Sequence, residues 1–301
     1  MGSVPETRSL VDAKERLGVH VSVCLPARNE EATVGPIVEV LTAQLVHGAG
    51  LVDEVIVLDD GSTDATAEAA REGGARVYPV ERVLADLPAG EGKGNALWKA
   101  LYVAEGDLVC FLDADVRNFS PHFVTRLLQP LLEDPRVGFV KGYYRRPLDG
   151  DPRGGGRVTE LLARPLLSAL FPHLAGIRQP LGGEYAARRD LLEVLPFVEG
   201  WGVELGLLVD VADRFGVDAI AQRDLGVREH RNRPLAELAP QAMAVLLTGL
   251  RRAGVAPVDA SNIRGRSEPG TSGPVAAPVR ERPPIITIPA YRAKFGRELS
   301  A

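Results

Sequence analysis

Cysteine is nearly absent from this chain: two residues, Cys24 and Cys110, in 301. Both sit inside apolar, strand-like runs. This argues against a disulfide framework and for buried, reduced thiols, so a cytoplasmic location is expected. Lysine is scarce as well, five against a heavy majority of arginine among 35 basic residues. The net charge of -5 gives no reason to expect nucleic acid or an anionic membrane as a partner. No apolar run approaches the roughly 18 residues of a membrane span. The first twenty residues carry charges throughout and lack the apolar centre of a signal peptide. No internal repeat is visible. No G-x-G-x-x-G follows the first apolar run, which argues against a dinucleotide-dependent dehydrogenase. The glycine-rich stretch before Lys93 is not a P-loop, because Leu87 stands where that motif needs glycine and Gly94 where it needs a hydroxyl.

What is present is a chain long enough for one large α/β domain, alone or with a small appendage. Residues 109–116 organise it: an apolar run, Val109-Cys110-Phe111-Leu112, ends abruptly in Asp113-Ala114-Asp115. A short run without polar alternation predicts a strand buried on both faces, as in a parallel sheet. If that strand persists to its tip, Asp113 and Asp115 point the same way. The carboxyl end of such a strand is where open α/β sheets bind ligands. Two carboxylates there suit a hard divalent cation, which in turn holds a diphosphate; equally, they suit an ordinary capped and solvated turn.

Strands are also predicted at 19–26, stopped by Pro26, and at 52–58, 75–80, 137–144 and 219–224. Helices are expected at 32–45, 65–72, 95–104, 121–132, 158–170 (bent or broken by Pro165), 188–195, 203–215 and 235–253. This alternation predicts a doubly wound, mostly parallel sheet with flanking helices. Residues 1–18 read as an arm or short helix. The stretch from about 255 to 284 is dense in Pro, Gly and Ser and reads as a linker. The end, 285–300, either docks back or reaches a neighbouring subunit.

Each early strand ends in a polar loop: 26–31, 59–64 and 113–115. In a parallel sheet all three gather at one edge and make a pocket suited to a base and a ribose. Lys93 either meets a diphosphate as a point charge or sits on a flexible turn. Gly154-Gly155-Gly156-Arg157, followed by Val158-Thr159, is either a linker or an anion cradle at a helix start. His230 stands among arginines, in a setting where most histidines bind no metal. Glu204 lies at a helix start, where a carboxylate is often just favourable with the dipole.

Taken together, the motifs resemble a known family. Leu25-Pro26-Ala27-Arg28-Asn29-Glu30-Glu31, Asp59-Asp60-Gly61-Ser62-Thr63-Asp64 and Asp113-Ala114-Asp115 look like the opening of a GT-A-fold nucleotide-sugar glycosyltransferase. Four later stretches are more specific: Tyr143-Tyr144-Arg145-Arg146-Pro147, 154–161, 179–185 and 226–234. With the first three they resemble the glucosyl-3-phosphoglycerate synthases and the related mannosyl-3-phosphoglycerate synthases of actinobacteria, over roughly 19–252.

The resemblance implies a GT-A catalytic domain at 19–233, with a nucleotide-sugar half at about 19–116 and an acceptor half at about 137–233. A C-terminal helix at 234–254 and a flexible segment and tail at 255–301 would follow. It implies retaining, divalent-metal-dependent transfer of glucose from a nucleoside diphosphate sugar to the 2-hydroxyl of 3-phosphoglycerate. Pro26, Ala27, Asn29, Glu30, Ser62 and Lys93 match nucleotide-holding positions. Asp113, with Ala114 beside it, would meet the nucleoside. Asp115 and His230 would hold Mg²⁺ or Mn²⁺. Gly156, Arg157, Thr159 and Asn232 match the acceptor site. Glu204 would line the sugar pocket, next to Trp201 where the family usually has Tyr, and Arg228 would steady the diphosphate. With no second acidic pair recognisable beside the sugar site, front-face attack is expected, a diphosphate oxygen taking the acceptor's proton. A homodimer is expected by resemblance. The donor base, uridine or guanosine, stays open. So do a GDP-mannose-dependent relative, a polyprenyl-phosphate transferase and a nucleotide-sugar binding module; the helix at 235–253 carries little basic charge to hold a lipid surface before its last turn.

Overall fold

The computed structural model describes residues 4–147, 151, 154–229, 235–255 and 279–299. The apolar runs form strands β1 (Val21–Ala27), β2 (Glu54–Asp59), β3 (Arg76–Pro79), β4 (Leu108–Phe111), β5 (Phe139–Arg145), β6 (Tyr185–Arg188), β7 (Phe197–Val198), β8 (Ile220–Val227) and β9 (Glu281–Arg282). Seven of them make one sheet in the order β3-β2-β1-β4-β6-β5-β8. Within it β6 runs antiparallel to β4 and β5, and the other pairings are parallel. The remaining two, β7 and β9, pair antiparallel. This is the mostly parallel α/β architecture expected of a GT-A fold.

The helices are α1 (Val4–Leu17), α2 (Glu31–Val40, continued by a π-helical stretch Leu41–Gly48), α3 (Thr66–Glu72), α4 (Gly92–Val103), α5 (His122–Glu133), α6 (Arg164–Leu170), α7 (Arg189–Leu192), α8 (Val203–Phe215), α9 (Leu235–Arg252) and α10 (Pro289–Phe295). The period-2 alternation of the central strands distributes them over both faces of the sheet. Val23, Leu25, Val55 and Val57 join a core with α1, α2 and α5. Cys24, Ile56 and Leu58 face the opposite core, with α4, α8 and α10. A third cluster packs α6, α8 and α9 together. No helix among the described residues is long and apolar enough to cross a membrane.

Several expectations need correction. Pro26 does not stop β1; it lies inside the strand, paired in register with Leu58. It is the neighbouring strand that stops. Cys24 O accepts the Leu112 N–H at 3.1 Å. The next residue of β1 on that side is Pro26, which has no N–H to give Leu112 O. The ladder lapses there, β4 ends at Phe111, and Asp113 and Asp115 lie on the loop beyond rather than on a strand tip. Helix α4 begins at Gly92, so Lys93 is in its first turn. Pro165 does not break the segment: a π-helical stretch, Thr159–Ala163, runs directly into α6, so the helix widens just ahead of the residue that lacks an N–H.

Strands β6 and β7 stand where no strand was expected, and the helix expected at 188–195 shortens to α7. The stretch assigned to a linker, 255–284, includes β9. The end of the chain packs against the sheet's helices, with Ile285 and Tyr291 fully buried.

Candidate active site

The carboxyl ends of β1, β2, β4 and β8 open onto a cleft of about 500 Å³. Its acidic wall is the loop after β4. Gly183 backs that loop: a Cβ on it would come within 2.1 Å of Asp113 Oδ1, so only glycine lets the chain pass behind the carboxylate. The Thr33 hydroxyl donates to Ala114 O at 2.7 Å and fixes the loop from the α2 side.

Four elements bring charged side chains to these carboxylates. Lys93, from the first turn of α4, lies 2.5 Å from Asp113 Oδ1 and 2.7 Å from Glu204 Oε1, on the first turn of α8. Arg228, directly after β8, donates through Nη2 to Asp113 Oδ2 (2.8 Å) and Asp115 Oδ1 (2.6 Å). Its Nε lies 2.8 Å from Glu184 Oε1. Glu184 is fully buried and accepts from the Tyr144 hydroxyl at 2.6 Å, while Arg146 Nη2 donates to that hydroxyl at 2.7 Å.

The electrostatics follow from burial and pairing. Burial works against the charges of Lys93 and Arg228. The carboxylates of Asp113 and Glu204 more than reverse this for Lys93, and for Arg228 Glu184, Tyr144, Asp115 and Asp113 do the same; both cations are held well above their usual ranges. Burial likewise opposes the charge of Asp113, but Lys93 and Arg228 outweigh it and hold its carboxyl well below the usual carboxylate range. Burial pushes Glu184 up, and Arg228 beside it offsets this in part. Lys141, beneath the site with Nζ donating to Gly182 O, is lowered by burial to about 8.

Twelve of the residues anticipated from sequence line this cleft. Pro26, Ala27, Glu30 and Ala114 surround one end; Lys93, Asp113, Asp115, Glu204 and Arg228 form the charged centre; Gly156, Arg157 and Thr159 lie along the other wall. Asn29 and Ser62 stand outside it and tie the β1 and β2 loops together: Asn29 N–H donates to Ser62 Oγ at 3.0 Å, and Thr63 N–H to Asn29 Oδ1 at 2.8 Å. His230 and Asn232 lie outside the described residues. Among the described residues no cluster of three or more His, Cys, Asp or Glu side chains could hold a metal ion.

The chain matches Glycosyl transferase family 2 over residues 22–192. It is 48% identical over 279 residues to glucosyl-3-phosphoglycerate synthase of Mycolicibacterium smegmatis, covering 91% of each chain. It is 41% identical over 304 residues to the enzyme of that name from Petrotoga mobilis, covering 97% of this chain and 94% of the other. The chain belongs to the glucosyl-3-phosphoglycerate synthase family. It also superposes, with TM-score 0.85, 46% identity and 96% coverage of both chains, on the crystal structure of glucosyl-3-phosphoglycerate synthase from Mycobacterium tuberculosis in complex with Mn²⁺, UDP-glucose and phosphoglyceric acid.

As a member of the glucosyl-3-phosphoglycerate synthase family the chain is a glycosyltransferase. Sequence reasoning gave no role to the Tyr144–Glu184–Arg146 group that flanks its cleft. One signal was available: Glu184 opens an apolar stretch, Tyr185-Ala186-Ala187, right after two glycines. A carboxylate in such a setting is buried, and a buried carboxylate needs a cation and a donor.

Proposed function

We propose that the chain transfers glucose, with retention of anomeric configuration, from UDP-glucose to the 2-hydroxyl of 3-phosphoglycerate. The observation that carries this reading is the joining of Lys93, Glu204, Asp113, Asp115 and Arg228 in one cleft whose other wall holds Gly156, Arg157 and Thr159. The ligands of the Mycobacterium tuberculosis relative favour UDP-glucose over the GDP sugars.

At the nucleotide end, Pro26, Ala27 and Glu30 line the cleft, with Asn29 and Ser62 bracing the loops behind them, and Asp113 and Ala114 meet the nucleoside. Lys93 and Arg228 bring two cations to the diphosphate. Arg157, Thr159 and the backbone at Gly156 (φ 78°, a conformation that favours glycine) offer a fork, a hydroxyl and peptide groups to the phosphate and carboxylate of the acceptor, with Asn232 as a further donor.

Mg²⁺ or Mn²⁺ fits the donor set. Asp113 and Asp115 are hard oxygen donors on one short loop, and the buried guanidinium of Arg228 marks their need for a cation. Asp115 would hold the ion together with His230. The residue before that histidine, Glu229, accepts the Arg117 N–H at 2.9 Å, two residues past Asp115. When bound, the ion supplies Lewis-acid stabilisation of charge on the departing diphosphate.

The pairing of the carboxylates supports front-face attack. Glu204 is tied to Lys93, and Asp113 and Asp115 are tied to Arg228. Each is thereby less able to act as a nucleophile in a double displacement. The acceptor's 2-hydroxyl approaches the anomeric carbon from the side on which the diphosphate leaves. One C–O bond to the diphosphate breaks, one C–O bond to the acceptor forms, and the hydroxyl proton passes to a diphosphate oxygen.

The test is turnover by purified protein with Mn²⁺ and 3-phosphoglycerate, offered UDP-glucose, GDP-glucose and GDP-mannose separately, with the product linkage read by NMR. An α-linked glucosyl product from UDP-glucose is expected. A β-linked product, or no transfer from any donor, would overturn the reading.

A further inference from the structure

The strap made by residues 279–288 sits outside the cleft, yet both the loop leading into α4, which carries Lys93, and strand β7 lean on it. Arg282, 6% exposed, is its centre. Its Nη1 donates to Pro88 O at 2.8 Å and its Nε to Asn95 Oδ1 at 2.9 Å, and Nε also lies 3.0 Å from Glu199 Oε1. Asn95, oriented in this way, donates through Nδ2 to Gly90 O at 3.2 Å. The loop leading into α4 is thus pinned at Pro88 by Arg282 and at Gly90 by the residue Arg282 orients. The guanidinium also fills the space a Gly90 side chain would need: a Cβ there would meet Nη2 at 2.0 Å.

The same strap fixes the opposite wall. Arg282 and Glu281 pair in register with Phe197 and Val198 of β7, and Glu199 N–H donates to Arg280 O at 2.9 Å. Strand β7 is pressed against the start of α4 so closely that a Cβ on Gly94 would fall 1.8 Å from Val198 O. Two residues beyond Val198, Gly200 packs against Gly92, whose added Cβ would lie 3.1 Å from Gly200 Cα. Gly92 precedes Lys93 and Gly200 precedes Trp201, and all four line the cleft.

We propose that Arg282 is a positioning residue for donor binding, holding the Lys93 turn and the Gly200–Trp201 turn in one arrangement from behind. The inference rests on the reading that Lys93 meets the donor diphosphate. A flexible loop in place of the pinned one would leave Lys93 to be ordered by the donor itself, and that ordering would be taken out of donor affinity. Pro88, Asn95 and Glu199, which Arg282 holds, do not belong to the acceptor wall at 156–159, which should not respond.

The experiment compares wild type with Arg282→Ala, Arg282→Lys and Tyr291→Phe in the full-length chain. Tyr291 anchors the same tail elsewhere, its hydroxyl 2.8 Å from Glu193 Oε2. Its loss therefore weakens tail docking without touching the Pro88–Gly92 loop. The readouts are UDP-glucose binding by calorimetry with Mn²⁺, KM for donor and acceptor separately, and melting temperature. Arg282→Ala is expected to weaken UDP-glucose about tenfold, the scale of a charge-assisted hydrogen bond, with KM for 3-phosphoglycerate within about twofold. Arg282→Lys, keeping the charge but not the fork, should fall between, and serves as the readout if the alanine variant does not fold. Tyr291→Phe should lower the melting temperature and leave donor affinity alone. Unchanged donor affinity in both Arg282 variants overturns the proposal. So does an equal loss of donor and acceptor affinity, or an equal donor effect in Tyr291→Phe. If wild type itself binds no UDP-glucose, the functional reading fails instead.

Discussion

Replacing Lys93 by methionine isolates the charge balance on which the cleft is built. The ammonium stands between two carboxylates, 2.5 Å from Asp113 and 2.7 Å from Glu204, and the Glu204 side chain is 3% exposed. Asp113 keeps Arg228 as a second cation, whereas Glu204 loses the ammonium that pairs with it. Breaking a buried pair from one side costs about 3–5 kcal/mol. The lower end applies, about 3 kcal/mol, because Asp113 stays paired. The pair is also sensitive to acid through Asp113. Asp113 is held well below its usual range, so its contribution is present above about pH 3.9 and is lost as pH falls toward its native value. Urea titrations at several pH values read the gap and this acid loss. The double variant Lys93→Met/Glu204→Gln should recover about 1–2 kcal/mol, the size of coupling between residues in contact. A gap below about 1 kcal/mol at pH 7.5, or no recovery in the double variant, would refute this reasoning.

Other expectations follow from single contacts. Asp115→Ala should cut turnover about 10²–10³-fold while leaving the urea midpoint nearly unchanged, since Asp115 is only half-buried and Arg228 keeps Asp113 and Glu184 as partners; undiminished turnover would remove Asp115 from the mechanism. Gly183→Ala drives a methyl into Asp113 and should abolish Mn²⁺-dependent turnover in a chain that still folds by circular dichroism; wild-type rates would mean the loop can shift without consequence. Lys141, lowered by burial to about 8, binds fewer protons folded than unfolded between about pH 8 and 10.4, so its contribution to stability rises with pH across that window. The thiols of Cys24 and Cys110, pushed up by burial, pull the other way. The measured quantity is therefore wild type minus Lys141→Met, and a difference that stays flat across the window contradicts the assignment.

The loops of the nucleotide end were legible because their chemistry is local. A buried strand announces itself by an unbroken apolar run, and Asp59-Asp60 and Asp113-Ala114-Asp115 can only lie where such runs end. That Asp113 and Asp115 face one cleft was also legible, though through the wrong geometry. The strand tip was expected to align them, whereas Arg228, from the far edge of the sheet, bridges them. Nothing local marks that contact. Strand β6 escaped notice because Tyr185-Ala186-Ala187-Arg188 has neither β-branched residues nor alternation; its place between β4 and β5 makes it a strand. Pro165 and Pro26 were read as breakers. Neither breaks its own element: the strand that stops beside Pro26 is its neighbour β4, and the helix carrying Pro165 widens into a π-helical stretch just before it. The docked tail was half legible: docking back was one of two readings of 285–300, while Arg282 lies in the stretch whose proline, glycine and serine content reads as a linker.

That tail also sets a schedule for the ribosome. Helix α4 is made early, but the Trp98 indole N–H finds its acceptor at Pro283, 185 positions later, and Asn95 its guanidinium at Arg282, 187 positions later. At about 5–20 residues per second, the half of the molecule that carries Lys93 exists for about 10–40 s before the groups that fasten it are synthesised. A nascent chain arrested at 278 should therefore present a formed sheet with a protease-sensitive Pro88–Gly92 loop, and protection should appear when the last twenty-odd residues are added.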